Sequence, residues 1–308
     1  MFARAAVSRV VFFATIAINF ISFPHFVHAQ QCQMAHDKNA LKALQERAAS
    51  GDVDAQCGLG KQYERALGVP QDNTQAVFWL RKAAEQGNII AQVELGIVFD
   101  RMQDYAQAFN WYSKAAEQGN ARAQYNLGLC YQNGESVLKD MTQAIAWYRK
   151  AADQGDVLAL TNLGEVYEHG LGVSQDYLQA ADLYRKAAEK GLAEAQYGLA
   201  FLYLNGYGVP KDFTQATTWL LKAAEQGETK AQYDLGVSYI NGNGVNRDLN
   251  EGYFWIFLAN ARTTDSTLKQ YTEDSLREDA EAMKKSDIKR AQKRAQEWLN
   301  QHPFNAEP

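Results

Sequence analysis

The chain has 308 residues and a formal net charge of −5, with 46% hydrophobic and 22% charged residues. This balance is typical of a folded, soluble protein, and the length is enough for one or two ordinary domains. An acidic chain without a run of Lys and Arg is a poor match for nucleic acid or for an anionic membrane surface, so we exclude both as partners.

The N-terminus has the features of a cleavable signal peptide. Arg4 and Arg9 provide positive charge, residues 10–23 form a nearly unbroken apolar run, and a small-residue cleavage site ends at Ala29. The run is short for a transmembrane helix. We therefore predict a signal peptide over residues 1–29, cut after Ala29, and a periplasmic or secreted mature chain without a membrane span. An uncleaved N-terminal anchor is the alternative.

Three cysteines follow this segment: Cys32, Cys57 and Cys130. Export would permit a disulfide, but an odd number of cysteines cannot pair completely within one chain. Cys32 and Cys57 are the nearest pair in sequence and form the candidate disulfide. The alternative is that all three remain as small, partly buried thiols.

A short helix is predicted next, over residues 39–49. Its Ala-Ala-x-x-Gly ending recurs later in the chain, where it closes the second helix of a repeated unit. Residues 30–52 are therefore predicted to act as an N-terminal capping helix that covers the first unit.

Two independent sequence markers then repeat along the chain with the same period, which predicts six repeated units over residues 53–262. The first marker is a Leu-Gly pair, found at Leu59-Gly60, Leu95-Gly96, Leu127-Gly128, Leu163-Gly164 and Leu235-Gly236, with Leu199-Ala200 in the same place. The second marker ends at Gly51, Gly87, Gly119, Gly155, Gly191 and Gly227. Both markers step by 36 residues, with one step of 32.

Each unit is predicted to consist of two helices joined by a glycine-containing turn. In the first helix Ala123, Leu127 and Tyr131 are four residues apart and share one face. Gly128 costs about 1 kcal/mol of helix propensity relative to Ala, so we expect it to admit a close neighbouring helix. The unit that starts near Ala91 lacks the turn, and its four missing residues explain the 32-residue step.

The second helix of each unit is predicted to begin with a capping box. The cap residues are Asp72, Asp104, Asp140, Asp176, Asp212 and Asp248. Three residues later comes Gln, or Glu251 in the last unit, and this side chain is expected to bond the cap's own N–H. A small residue and a Trp three apart follow in five units, whereas Leu183 replaces the Trp in one.

After Arg262 the period ends, and residues 263–308 predict a helical C-terminal cap. Residues 265–285 and 287–300 have the pattern of two polar helices with few apolar positions. A solenoid needs such a terminal segment because its last repeat would otherwise expose an apolar face.

The repeated motif resembles the Sel1-like repeat family, a relative of the tetratricopeptide repeats. The resemblance covers about residues 37–262 and lies in Ala-x-x-x-Leu-Gly-x-x-Tyr, then Gly-x-Gly-Val-x-x-Asp, then Ala-x-x-Trp-x-x-Lys-Ala-Ala-x-x-Gly. It implies an all-α solenoid of six helix pairs, coiled into a right-handed superhelix whose first helices line a concave groove.

The resemblance to tetratricopeptide repeats also implies which positions face that groove. The predicted partner-binding residues are Glu94, Tyr125, Asn126, Asn162, Glu165, Tyr197, Phe201, Tyr233 and Asp234. Asn126 and Asn162 fall where those repeats use asparagine to hold a bound peptide, and an amide can both donate to and accept from a peptide backbone. The alternative for the tyrosines is that they pack between repeats.

The sequence contains no recognisable catalytic or metal-binding motif, so no catalytic residue, metal or cofactor is predicted. The main hypothesis is an exported, monomeric adaptor that binds a protein, peptide or peptidoglycan-related cell-wall partner, in envelope maintenance or in host interaction and virulence. A cysteine-rich branch of the family is linked with β-lactamase or penicillin-binding activity, but its cysteine pairs are absent here. A weak enzyme of that kind and a structural envelope spacer are the alternatives.

Overall fold

The computed structural model of the chain describes residues 38–134 and 136–302. Within these ranges all the regular secondary structure is α-helical. The predicted signal peptide, its cleavage site after Ala29 and the thiol of Cys32 lie outside the described residues. The chain forms two compact units, residues 1–94 and 95–308.

The first unit contains three complete helices and the start of a fourth. They are α1 (Lys38–Ala49), α2 (Val53–Arg65), α3 (Asn73–Glu85) and the first part of α4 (Ile89–Arg101). Ala48, Ala55 and Leu59 are almost fully buried where α1 meets α2, and Trp79 of α3 packs against them. The predicted helix at 39–49 is therefore present and packs on the first helix of the repeats.

The second unit holds the rest of α4 and eleven further helices among its described residues. They are α5 (Tyr105–Glu117), α6 (Ala121–Asn133), α7 (Met141–Asp153), α8 (Val157–His169), α9 (Tyr177–Glu189), α10 (Ala193–Asn205), α11 (Phe213–Glu225), α12 (Thr229–Asn241), α13 (Leu249–Arg262), α14 (Ser266–Ala282) and α15 (Lys285–Gln301). From α6 to α13, each helix packs against the next in sequence. The predicted all-α fold of helix-pair repeats is confirmed. We call the even-numbered helices α2 to α12 the first helices, and the odd-numbered helices α3 to α13 the second helices.

The glycine of the Leu-Gly marker lies at a close contact between the two helices of a pair, as predicted. A Cβ atom on Gly128 would lie 2.5 Å from the ring of Tyr148, and one on Gly164 would lie 2.6 Å from the ring of Tyr184. These tyrosines directly follow the Trp position of the second helix. They are nearly fully buried, which the sequence analysis did not anticipate.

The aspartate caps are confirmed, but the expected return bond from the glutamine is wrong. The N–H of Gln143 donates to Oδ1 of Asp140 at 3.0 Å. The N–H of Asp140 itself donates at 2.9 Å to the backbone carbonyl of Tyr131, in the preceding helix. The same donation recurs in every repeat, to Tyr63, Phe99, Tyr131, Tyr167, Tyr203 and Tyr239. Because a carbonyl near the end of the preceding helix already accepts from this N–H, the glutamine side chain is not needed there.

A buried glutamine near the start of five of the six first helices links that helix to the helix before it, a role that the sequence analysis missed. Gln124 is 5% exposed, and its Nε2 donates to the carbonyl of Ala116 near the end of α5. Its Oε1 accepts from Gln154 at 2.8 Å. Gln196 and Gln226 repeat this arrangement. The side chain thus supplies a further donor to a carbonyl at the helix end, which also accepts from the N–H of Gly119.

The short repeat has the predicted loop deletion. Three residues, 102–104, connect α4 to α5, whereas seven residues, 134–140, connect α6 to α7. Both helices of the short repeat keep 13 residues. Shortening the turn therefore leaves the helix pair intact.

Two further helices follow the repeats and pack against α13. Ala291 and Ala295 of α15 are buried in a cluster with Tyr253 and Phe254 of α13. Arg294 adds an ion pair to Glu251. Helix α14 ends at Ala282, and α15 begins at Lys285, two residues earlier than the sequence pattern indicated.

Two observations bear on the predicted cysteine pair and on membrane association. Cys57 and Cys130 are buried, at 2% and 4% exposure. Because Cys32 lies outside the described residues, its pairing with Cys57 stays a prediction. Within residues 38–134 and 136–302, no helix combines the length and the apolar character that a bilayer crossing requires.

Candidate partner-binding surface

Eight of the nine predicted binding residues lie on four consecutive first helices of the second unit. Tyr125 and Asn126 are on α6, Asn162 and Glu165 on α8, Tyr197 and Phe201 on α10, and Tyr233 and Asp234 on α12. We call the accessible side of these four helices the first-helix surface. Glu94 lies on α4, in the first unit.

Glu94 forms ion pairs with two basic residues of the first unit. Its carboxylate lies 2.8 Å from Nζ of Lys61 and 3.2 Å from the guanidinium of Arg65. The residue is only 8% exposed. A ligand that used Glu94 would have to break its largely buried ion pair with Lys61, which is costly because a buried cation would lose its partner.

Tyr125 and Asn162 meet at the buried ring of Tyr148. The rings of Tyr125 and Tyr148 are 5.8 Å apart, and Nδ2 of Asn162 donates to the hydroxyl of Tyr148 at 3.4 Å. Burial raises the pKa of Tyr125 above its usual value. Asn162 is therefore held by a neighbour inside the repeat array, and a bound peptide would compete with that contact.

Asn126 faces a small cavity of its own. It is 8% exposed and lines about 220 Å³ of space with Asp100, Tyr112 and Asn133. The cavity is polar, with an amide and a carboxylate among its walls. The structure thus separates the two asparagines: Asn126 lines this cavity, whereas Asn162 contacts Tyr148.

Three predicted residues converge on one larger cavity between α8, α10 and α12. Glu165, Tyr197 and Phe201 line about 320 Å³ of space together with residues that the sequence analysis did not select. Those additional residues are Glu168, His169, Tyr184, Glu194, Gly198, Glu228 and Lys230. We call this space the acidic cavity.

The acidic cavity combines four carboxylates with aromatic walls. Glu165 and Glu228 have raised pKa values, because burial disfavours their charged forms. Glu168 is 9% exposed, and its Oε2 accepts a hydrogen bond from the Tyr184 hydroxyl at 2.7 Å. Lys230 and His169 are the basic residues among the lining. A cation that entered would relieve the repulsion among partly desolvated carboxylates.

Glu194 and Glu228 were not predicted as site residues, because each has a local structural role at a helix start. Glu228 is the N-cap of α12 and accepts from the N–H of Lys230. Glu194 lies in the first turn of α10, where acidic residues are common. Only the packing of successive first helices brings these ends beside Glu165, so the spacing along the chain carried no such signal.

Asp234 lies behind one wall of the acidic cavity. The hydroxyl of Tyr197 donates to its carboxylate, and burial raises the pKa of Asp234 to about 6. Asp234 therefore orients Tyr197, whose ring lines the cavity. Tyr233, next to it in sequence, points elsewhere: its hydroxyl lies 3.5 Å from Oγ of Ser275 on α14.

A metal centre is not formed by the described part of the chain. Among residues 38–134 and 136–302, no group of three or more His, Cys, Asp or Glu side chains is arranged to hold a metal ion.

The repeats match an established family over most of their length. The Sel1-repeat model matches residues 53–88, 90–120, 121–156, 157–192, 193–228 and 229–261, six consecutive repeats. The chain belongs to the Sel1-repeat family. The family resemblance and the six repeats predicted from the sequence are therefore confirmed.

Two solved Sel1-repeat structures share the fold. One is a protective antigen present in uropathogenic Escherichia coli strains that displays an SLR fold. It is 34% identical with a TM-score of 0.79, and the match covers 89% of this chain and 59% of that one. The other, a Sel1-repeat protein from Oxalobacter formigenes, is 33% identical with a TM-score of 0.68, covering 81% of this chain and 74% of that one.

Sel1 repeats generally serve as non-catalytic scaffolds for protein–protein interaction. No curated protein matches the chain. The family therefore supports a binding role at a coarse level, and the partner has to be argued from the surface itself.

Proposed function

We propose that this protein is an exported Sel1-repeat adaptor whose first-helix surface binds a protein or peptide partner. The acidic cavity carries this proposal, because Glu165, Tyr197 and Phe201 converge there with three further glutamates. A volume of about 320 Å³ lies within the range of specific ligand sites. Aromatic walls around a few polar groups are also typical of binding hot spots.

The chemistry of the cavity favours a basic side chain of the partner. The carboxylates of Glu165 and Glu194 supply charge, and the rings of Tyr197 and Phe201 supply apolar surface for the stem of a Lys or Arg. An aromatic face also attracts a cation directly. The partner segment is thus expected to be basic, consistent with the acidic net charge of the chain.

Reversing two charges in the acidic cavity is expected to weaken partner binding by tenfold or more. The variant Glu165→Lys/Glu194→Lys replaces attraction by repulsion without removing the Glu228 cap. Partner binding would be measured by affinity capture through a photo-crosslinking residue at Phe201, followed by titration of the captured protein. The matched control is Glu189→Lys/Glu225→Lys, which makes the same charge change at exposed helix ends.

If the two double variants bind the partner with equal affinity, the partner binds away from the acidic cavity. A crosslink that forms as readily from the exposed Phe78, on α3, would indicate non-specific capture. A cationic partner should also bind more weakly at high salt, because the attraction is screened.

The exported location and an envelope or host-facing role are part of the same proposal. The similar E. coli protein is a protective antigen, which supports a role at the boundary with a host, although the chain spans only 59% of its length. The mature chain is expected to begin at Gln30, as measured by intact mass and N-terminal sequencing of protein from the periplasmic fraction. Recovery of chain that still starts at Met1 would instead favour the N-terminal anchor.

A further inference from the structure

The fourth repeat, residues 157–192, differs from its sister repeats at positions that line one cavity. This cavity has a volume of about 610 Å³ and lies between α7, α8 and α9. Its apolar lining includes Ala152, Leu160, Leu163, Leu178 and Leu183. We call it the second-helix cavity. It shares no lining residue with the acidic cavity.

Leu183 stands where the other second helices carry tryptophan. The sister residues are Trp79, Trp111, Trp147, Trp219 and Trp255. Trp219 packs against the core cluster that contains Ala188 of the preceding repeat and Leu199 of its own repeat. Their counterparts one repeat earlier, Ala152 and Leu163, line the second-helix cavity. The cavity thus lies where an indole ring would pack if the fourth repeat had its own tryptophan.

A lysine beside the cavity has lost the ring on which its counterparts lie. In three sister repeats of the second unit, the lysine three residues after the Trp lies over the indole ring. The distance from Nζ to the ring centroid is 4.0 Å for Lys114, 3.7 Å for Lys150 and 4.0 Å for Lys222. The corresponding residue Lys186 pairs with Asp182 at 2.7 Å, where both side chains are more than half exposed. An exposed pair of this kind contributes little, so Lys186 can move over an incoming ring.

Two other positions have become apolar in the same repeat. Leu160 replaces the buried glutamine of the other five repeats, and Leu178 replaces Thr, Ala or Asn. Leu178 is 68% exposed at the edge of the cavity. One lost ring alone would leave a void, but two added leucines extend the apolar part of a wall that also carries Arg149, Asp182 and Lys186.

We propose that the second-helix cavity binds an aromatic side chain of indole size, presented by a partner protein. The incoming ring would take the place of the missing tryptophan, with Lys186 over its face and Leu160 and Leu183 beneath it. About 610 Å³ exceeds the volume of one ring and leaves room for the residues next to it in the partner. A second copy of this chain does not fit, because its six tryptophans are all buried or half-buried.

This inference goes beyond the proposed function, since it concerns the opposite side of α8. Glu165, Glu168 and His169 line the acidic cavity, whereas Leu160, Leu163 and Tyr167 line the second-helix cavity. Loss of binding at one cavity need not affect the other, and the two sets of experiments can fail separately.

The test is a titration of the methyl-labelled full chain with N-acetyl-tryptophanamide, followed by NMR. The methyl groups of Leu160, Leu163 and Leu183 should shift, with a dissociation constant on the order of 1 mM. Leu183→Trp should abolish the shifts at Leu160 and Leu163, since the protein's own indole then fills the space. Leu221→Trp is the matched control, because it adds the same ring at a residue of α11 that does not line the cavity, and it should leave binding unchanged.

Two milder variants keep the proposal testable if Leu183→Trp disturbs folding. Lys186→Met should weaken binding about threefold, because the cation–π contact is lost. Leu178→Thr should weaken binding too, since it restores the threonine that three of the sister repeats carry at this position. The proposal is overturned if no methyl group shifts, if the shifts persist in folded Leu183→Trp, or if N-acetyl-leucinamide binds equally well.

Discussion

Replacing Gly208 by alanine is expected to lower the free energy of unfolding by about 3 kcal/mol. Gly208 has φ of +67°, and a Cβ atom there would overlap the backbone carbonyl of Tyr177 at the start of α9, in the preceding repeat. The overlap is with backbone, which cannot move aside as a side chain can. The change would be measured by urea denaturation at constant m-value.

Gly206, in the same turn, provides the matched control. It has φ of +74°, but its nearest neighbour for a new Cβ is Lys211 Cβ at 3.2 Å. Ala66 occupies the equivalent place in the first repeat with φ of +55°. Gly206→Ala should therefore cost only about 1 kcal/mol, from the left-handed backbone. Equal losses for the two variants would show that backbone conformation, and not contact between repeats, makes Gly208 necessary.

Replacing Asp234 by asparagine is expected to stabilise the protein at pH 7 by about 2–3 kcal/mol. Burial raises the pKa of Asp234 to about 6 from a usual value of 3.8, so the folded state retains a proton that the unfolded state releases. This contribution to stability is complete below about pH 4 and is lost as the pH rises through about 6. Asparagine keeps an acceptor for the Tyr197 hydroxyl and carries no charge to bury.

The measurement is thermal unfolding of both proteins between pH 4 and pH 7. Within that window the wild type should lose more stability with rising pH than Asp234→Asn. The control is Asp153→Asn at an exposed position, which removes the same formal charge and should leave the slope unchanged. The prediction is wrong if Asp234→Asn is less stable than the wild type and loses stability with rising pH at the same rate. That result would show that the Asp234 carboxylate does not resist ionisation in the folded state.

Local sequence predicted much of this fold because the helices are defined by short-range chemistry. The aspartate caps need only a carboxylate three residues before an N–H, as at Asp140 and Gln143, and that spacing can be read directly. The loop deletion before Asp104 could also be recognised in the sequence, because it shortens the repeat period and leaves both helices in place. Gly128 was correctly predicted to admit a close helix, although its contact with Tyr148 was not.

The candidate sites could be predicted only in part. Repeat position placed Glu165, Tyr197 and Phe201 on successive first helices, and the structure brings them to one cavity. The same reasoning could not distinguish them from Glu94, whose charge is taken up by Lys61 and Arg65. Nor could it indicate that Asn162 is held by Tyr148. Equivalent positions in a repeat share a direction, but their partners depend on side chains from neighbouring helices.

By itself, the sequence determined that this chain is a series of capped helix pairs, because caps, turns and apolar periodicity act over a few residues. Tertiary structure alone decided which polar side chains are neutralised and where space is left open. The acidic cavity is formed by three first helices together. The second-helix cavity is present where Leu183 replaces the tryptophan that occurs 36 residues before and after it in the chain. Charge compensation and cavity volume are properties of packed neighbours, and no single stretch of the chain contains them.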